Sequence, residues 1–176
     1  MSIKGELEIT DGTTTISLRT GPFKLVDWTP VTAQPKDGGV WNDPVLDDNR
    51  RPVMFKRGNA VETFQLRVST GNQDDTIYYT QELRRLLEKA KEYWTTAWQN
   101  QPVWLVARGN CETNTRYAYI VNYTAETDDN PHQSPFFGVT LSAMDEFSLA
   151  IERMDWMSNP PGEGDCVQID NQQLYY

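Results

Sequence analysis

The stretch DTIYYTQELRRLLEKAKEYWTTAW, residues 75–98, decides the fold that we predict for this chain. Its apolar residues recur every three or four positions, which is the spacing of one face of an amphipathic helix. We expect Asp74 or Asp75 to cap the first turn. The predicted apolar face consists of Tyr79, Leu83, Leu86, Leu87, Ala90, Tyr93, Trp94, Ala97 and Trp98.

The sequence on both sides of this helix alternates with the period of two that is typical of β-strands. VETFQLRV at 61–68 precedes the helix, and PVWLVAR at 102–108 follows it. Eight or nine short strands and one helix predict a mainly β fold, a β-sandwich or barrel with a single helix packed against it. The other predicted strands are 23–28, 53–56, 116–123, 136–141 and 147–153.

The segment LEITDGTTTISL, residues 7–18, predicts a β-hairpin. Asp11-Gly12 suits the positive φ angles of a two-residue type I′ turn, which would pair Thr10 with Thr13. In that register the apolar side chains share one face of the hairpin. These side chains are Leu7, Ile9, Ile16 and Leu18.

Two segments are interpreted as irregular, and both are candidate contacts with a neighbouring subunit. Residues 29–51 predict a long loop rich in proline, glycine and aspartate, and we expect Trp41 and Val45 within it to pack on another surface. Residues 159–176 predict a Pro/Gly linker and a C-terminal arm, which is either a loose terminus or a segment that docks through Leu174, Tyr175 and Tyr176. Residues 1–158 are predicted to form one β-rich domain.

The bulk composition excludes several classes of protein. A formal net charge of −9 over 176 residues argues against a general nucleic-acid binder, which needs clustered Lys and Arg. The first eight residues contain no apolar run, so we expect neither a signal peptide nor a transmembrane segment, and we expect synthesis in a cytoplasm. For Cys111 and Cys166, two free thiols are favoured over a disulfide.

No catalytic or metal-binding motif is recognisable, so we expect no enzyme activity, no cofactor and no metal site. His132, the single histidine, lies in a segment bounded by prolines, where a surface histidine is the ordinary interpretation. Paired acids at 47–48, 74–75, 128–129 and 145–146 leave a hydrolase as a remote alternative.

The six tryptophans leave a second alternative, a carbohydrate-binding β-sandwich. Trp94, Trp98 and Trp104 are explained as core because they fall on the apolar helical face or within a strand. Trp28, Trp41 and Trp156 remain as candidates for stacking on sugars, although core or subunit contacts are favoured.

The order of elements resembles the tail-tube-like fold of tailed bacteriophages, especially the N-terminal domain of distal tail proteins. The resemblance covers about residues 53–153 and is carried by ETFQLRV at 62–68, QELRRLLEKA at 81–90, PVWL at 102–105 and RYAYI at 116–120. The long segment 29–51 and the missing large C-terminal domain depart from many distal tail proteins. The position, whether distal ring, tube or another tail component, therefore stays open.

The resemblance implies a structural subunit of a virion tail, forming a homohexameric ring with other tail proteins as partners. DNA would pass through the ring without specific binding, and no membrane would be involved. The acidic charge suits such a channel, because a negative lumen repels DNA.

Overall fold

The computed structural model describes residues 6–29, 40–42, 51–54, 59–95, 101–109, 115–126 and 143–157. The strands and the helix, in chain order, are β1 (Glu6–Thr10), β2 (Thr15–Ser17), β3 (Phe23–Thr29), β4 (Val40–Asn42), β5 (Arg51–Met54), β6 (Ala60–Ser69), α1 (Gln73–Thr95), β7 (Trp104–Arg108), β8 (Thr115–Glu126) and β9 (Met144–Arg153).

Seven of the strands form one sheet in the order β2-β1-β7-β8-β9-β6-β3, and each neighbouring pair is antiparallel. The long strand β8 joins two parts of this sheet, because residues 115–119 pair with β7 and residues 120–126 pair with β9. The register shifts between Ile120 and Asn122, where the strand changes partner. The predicted mainly β fold with one helix is confirmed.

The core lies between the helix and one face of the sheet. Alternation in β6 buries every second residue, and the helix covers this face with a stripe of buried side chains. Buried members of this core include Phe23, Phe64, Leu66, Leu83, Leu87, Leu105, Ile120, Phe147, Leu149 and Ile151.

The helix begins two residues earlier than predicted, and its first two turns bury different side chains from those predicted. Asn72 is the cap, since its Oδ1 accepts a hydrogen bond from the Asp75 amide at 2.8 Å, so the predicted Asp74 or Asp75 cap is wrong. Thr76 and Thr80 occupy the buried stripe, where the Thr80 hydroxyl is satisfied by the Thr76 carbonyl at 2.8 Å. The prediction that Tyr79 lies on the apolar face is wrong, because its side chain is exposed.

The hairpin forms, but the predicted two-residue turn is wrong. Ile9 pairs with Ile16 and Thr10 with Thr15, so four residues separate the strands. The Asp11 carboxylate accepts hydrogen bonds from the Thr13 and Thr14 amides at 2.9 and 2.7 Å and thereby closes a wider turn. Because the register moves by two residues, the predicted apolar face is retained.

Within the predicted loop 29–51, the structure places the short strand β4, which pairs with β5 as a separate two-stranded ribbon. Trp41 lies in β4 opposite Pro52. The predicted strand 53–56 is observed two residues earlier, as β5. The predictions for Val45, Ala97, Trp98, Cys111, His132, strand 136–141, Cys166, Leu174, Tyr175 and Tyr176 lie outside the described residues.

Candidate functional site

Among the described residues, no helix lies on one face of the sheet, and we call this the uncovered face. It consists of the outward-facing side chains of β3, β6, β9 and the second half of β8, all of them exposed or half-buried. Its members are Lys24, Val26, Asp27, Thr29, Val61, Thr63, Gln65, Arg67, Asn122, Thr124, Met144, Glu146, Ser148, Ala150 and Glu152.

The middle of the uncovered face is built from small, uncharged side chains. One row across the four strands reads Thr29, Thr63, Ala150, Thr124 in the observed register. In the next row Gln65 lies opposite Ser148. Short side chains in register give this part of the face a smooth surface.

Charge on the uncovered face is low and largely paired. Arg67 donates from Nε to the Glu146 carboxylate at 2.6 Å, and Glu152 accepts a hydrogen bond from Asn59 at 2.8 Å. The uncovered face has two basic residues, Lys24 and Arg67, and three acidic residues, Asp27, Glu146 and Glu152. It therefore offers no cluster of free cations that could bind phosphate groups.

A buried ionic cluster supports the uncovered face from behind. Glu62 and Arg153 are both fully buried, and Glu62 accepts from Arg153 Nε at 2.7 Å. The second Glu62 oxygen accepts from the Trp28 indole N–H at 2.6 Å, and the Arg153 guanidinium lies 4.3 Å from the ring centre of Trp156. This Glu62 cluster ties edge strand β3 to the central strands β6 and β9.

A second contact anchors the β1–β2 turn to the helix. Lys89 Nζ lies 2.5 Å from the Asp11 carboxylate, which is almost fully buried. Burial alone would raise the pKa of Asp11, but the Lys89 ammonium and the Thr14 and Thr13 amides outweigh it. Together they hold the pKa well below the ordinary carboxyl value. Asp11 therefore stays ionised and keeps the hairpin on the helix.

A third contact joins the helix to β8. The Tyr123 hydroxyl donates to the Glu88 carboxylate, and Lys91 lies 4.9 Å from the Tyr123 ring centre. Burial and the Glu88 carboxylate raise the pKa of Tyr123 to about 12, against a smaller opposing effect of Arg84. Glu88 and Lys89 on the helix surface thus serve contacts between elements.

The structure brings together few of the residues that the sequence singled out. Trp28 and Trp156 are partly buried and pack against the core and the Glu62 cluster, so both rings have a structural role. Trp94 is half-buried and donates to the Ile120 carbonyl at 2.9 Å. Asp74 and Asp75 lie at the start of the helix, and Glu146 is paired with Arg67. Sequence reasoning missed the uncovered face, although the small polar residues at alternate positions of β6 and β9 were its signal.

Within the described ranges, no group of three or more His, Cys, Asp or Glu side chains could hold a metal ion. No helix in the same ranges combines the length and apolarity that crossing a membrane requires.

Comparison with known proteins gives a structural match alone. No protein-family model and no curated protein sequence matches the chain. The solved structures that match include the phage p2 baseplate in its activated conformation with Sr and the same baseplate with Ca. This chain therefore shares its fold with a chain of each of these structures. Each of these two matches has a TM-score of 0.55 at 11% identity and covers 86% of this chain, which spans 45% of the matching chain.

Proposed function

We propose that this protein is a structural subunit of a phage or phage-derived tail, without enzymatic activity. The observation that supports this most is the shared fold with a chain of the phage p2 baseplate. The smooth uncovered face and the lack of any metal cluster in the described residues fit a scaffold better than an enzyme.

Within that class, we propose a ring, most simply a homohexamer, around the DNA channel of a distal tail or tube. The uncovered face would line the channel. Its middle rows are uncharged, its Arg67 is paired with Glu146, and the whole chain carries a net charge of −9. Such a wall gives the phosphate backbone few cations to bind, so DNA would slide past without sticking.

For the ring contacts we propose Trp41, Val45, Leu174, Tyr175 and Tyr176. The support for Trp41 is its place in the ribbon of β4 and β5, which shares no strand pairing with the seven-stranded sheet in the described residues. A two-stranded ribbon has too little core to be stable alone, so it gains from packing on another surface. Other tail proteins would be further partners, and the assembled protein would be part of the virion.

The first test is the mass of the purified protein by light scattering over a range of concentrations, with electron micrographs of the same fractions. Rings with a mass of about six chains are expected. A monomer at every concentration, also after mixing with the other tail proteins of its phage, would refute the ring.

Two variants test the parts of the proposal separately. Trp41→Ala should weaken ring formation without unfolding the sheet, and rings as stable as wild type would remove Trp41 from the interface. Thr63→Lys with Thr124→Lys should leave assembly intact but make the rings retain DNA in a salt-dependent shift assay. Lysines on the outer surface would also bind DNA, so the matched control is Tyr78→Lys with Tyr79→Lys, which adds the same two positive charges at exposed positions of the helix. If both lysine variants retain DNA equally, the uncovered face is not the channel wall.

A further inference from the structure

The first two turns of the helix expose large aromatic side chains and bury small polar ones. Tyr78 and Tyr79 are 57% and 39% exposed, whereas Thr76 and Thr80 are fully buried. Folding gains little from a tyrosine in water, and the buried stripe of this helix continues without either ring. The tyrosines are therefore surplus to the core, which makes them candidates for contact with another molecule.

The two rings form a defined surface together. Their centres lie 5.3 Å apart with an interplanar angle of 74°, an edge-to-face pair. The backbone beneath them is fixed by the Asn72 cap and by the Thr76 hydroxyl, which donates to the Ala143 carbonyl at 3.1 Å. Little conformational entropy would be lost when a partner binds to a surface that is already ordered.

The charge next to the tyrosines is mainly negative. Residues 73–82 contain Asp74, Asp75 and Glu82 and neither Lys nor Arg, and Glu82 is already paired with Arg85 further along the helix. Asp74 and Asp75 are exposed one turn before the two tyrosines. The faces of aromatic rings attract cations, and nearby carboxylates strengthen this attraction. Two such contacts already occur within this chain, with Lys91 on Tyr123 and Arg153 on Trp156.

We propose that Tyr78 and Tyr79, with Asp74 and Asp75, form a docking site for an arginine-bearing segment of a second protein. An arginine side chain would lie across an exposed tyrosine face while its guanidinium pairs with a carboxylate, a combination that the planar guanidinium makes better than an ammonium. The helix covers the core side of the sheet, so this tyrosine site lies on the side opposite to the uncovered face. Both surfaces can be occupied at once, and the inference stands whether or not the protein forms rings.

The test uses the full chain, labelled with nitrogen-15, and the peptide acetyl-RGRGRG-amide at 150 mM salt. Its matched control is the same peptide with citrulline, the neutral isostere of arginine, at all three arginines. Chemical-shift changes are expected within residues 73–82 for the arginine peptide and to be absent for the citrulline peptide. Tyr78→Ser with Tyr79→Ser should weaken binding about tenfold, from the loss of two cation–π contacts. Val26→Ser with Val61→Ser, on the uncovered face, should leave it unchanged.

Three results would overturn the inference. Shifts spread evenly over the acidic surface, unchanged in the tyrosine variant, would mean non-specific attraction to a chain of charge −9. Shifts within 73–82 caused by maltohexaose but not by the arginine peptide would assign the tyrosines to a sugar. A change of solution mass in the tyrosine variant without peptide binding in wild type would assign them to a second copy of this chain. If the arginine peptide binds but light scattering detects no rings, the proposed ring fails and the docking site stands.

Discussion

The substitution Glu62→Gln tests the buried cluster that fixes edge strand β3. The change keeps the size of the side chain but removes its charge, which leaves the guanidinium of Arg153 fully buried without its carboxylate partner. Removing one partner of a buried ion pair costs about 3–5 kcal/mol of unfolding free energy. For a domain of this size, that loss lowers the melting temperature by roughly 6–20 °C.

The assay is urea unfolding followed by tryptophan fluorescence, with thermal unfolding by circular dichroism on the same samples. The chain supplies a matched control in Arg67–Glu146, an ion pair between the same two strands on the opposite face, with side chains 44% and 52% exposed. Glu146→Gln should cost at most about 1 kcal/mol, because an exposed pair is screened by water.

A second variant separates charge from packing in this cluster. Glu62→Leu with Arg153→Met removes both charges and keeps the volume filled, so it should recover at least half of the loss seen with Glu62→Gln. The reasoning fails if Glu62→Gln costs no more than Glu146→Gln. It also fails if the double variant loses as much stability as Glu62→Leu and Arg153→Met lose in total when each is made alone.

Three further predictions concern contacts between the elements. The pKa of Asp11 is lower in the folded than in the unfolded protein, so ionised Asp11 stabilises the fold fully above the ordinary carboxyl pKa of about 3.9. This stabilisation is lost as the pH falls below that value. Asp11→Asn should therefore make the free energy of unfolding, measured by urea titration, depend less on pH between pH 5 and 3. Tyr123 has a raised pKa, so its stabilisation is complete below pH 10 and is lost towards pH 12. An ultraviolet titration should show one tyrosine that ionises late, and Tyr123→Phe should remove it. Gly12→Ala should destabilise the fold more than Gly21→Ala. Both glycines have a positive φ, but only an alanine at Gly12 would place its Cβ 3.3 Å from the Trp104 ring. Equal losses of about 1 kcal/mol in unfolding free energy would show that Trp104 moves aside freely.

Periodicity in the sequence was enough to predict the helix and most of the described strands, because each of these elements buries one side. The short strand β4 lies in the segment that was predicted as a loop. The four-residue turn was beyond this reasoning, since the Asp11 carboxylate replaces backbone bonds of a tighter turn and also contacts Lys89, far along the chain. Such a contact depends on the tertiary structure, whereas the preference of Asp-Gly for a type I′ turn is local.

The sequence shows that Glu62 and Arg153 occupy buried positions of their strands, but only the strand order shows that they form a pair. Glu62 falls in the same phase of β6 as Phe64 and Leu66, and Arg153 falls in the same phase of β9 as Ile151. Each charge therefore occupies a position that its strand pattern assigns to the core. That β6 lies beside β9, so that one charge meets the other, follows from the strand order and not from either strand alone.

Tyr79 shows why a residue on the apolar stripe that a sequence predicts for a helix is not always buried. The spacing allowed either Tyr79 or the Thr76–Thr80 pair to face the sheet in the first two turns. The threonines pack closer and satisfy their hydroxyls on the carbonyls of Thr76 and Ala143. The interface residues remain predictions from sequence, because Val45 and the C-terminal tyrosines lie outside the described residues.

The order of strands in the sheet has a consequence for how the chain is made. β6 can pair with β9 only after residues up to Arg153 have been synthesised. In the same way, β1 can pair with β7 only after residues up to Arg108 have been synthesised. During translation one backbone edge of β6 is thus without its partner while residues 70–143 emerge from the ribosome. The other edge can already pair with β3. An unpaired strand edge invites pairing with other chains, so we expect the nascent protein to need chaperones most before β9 is complete.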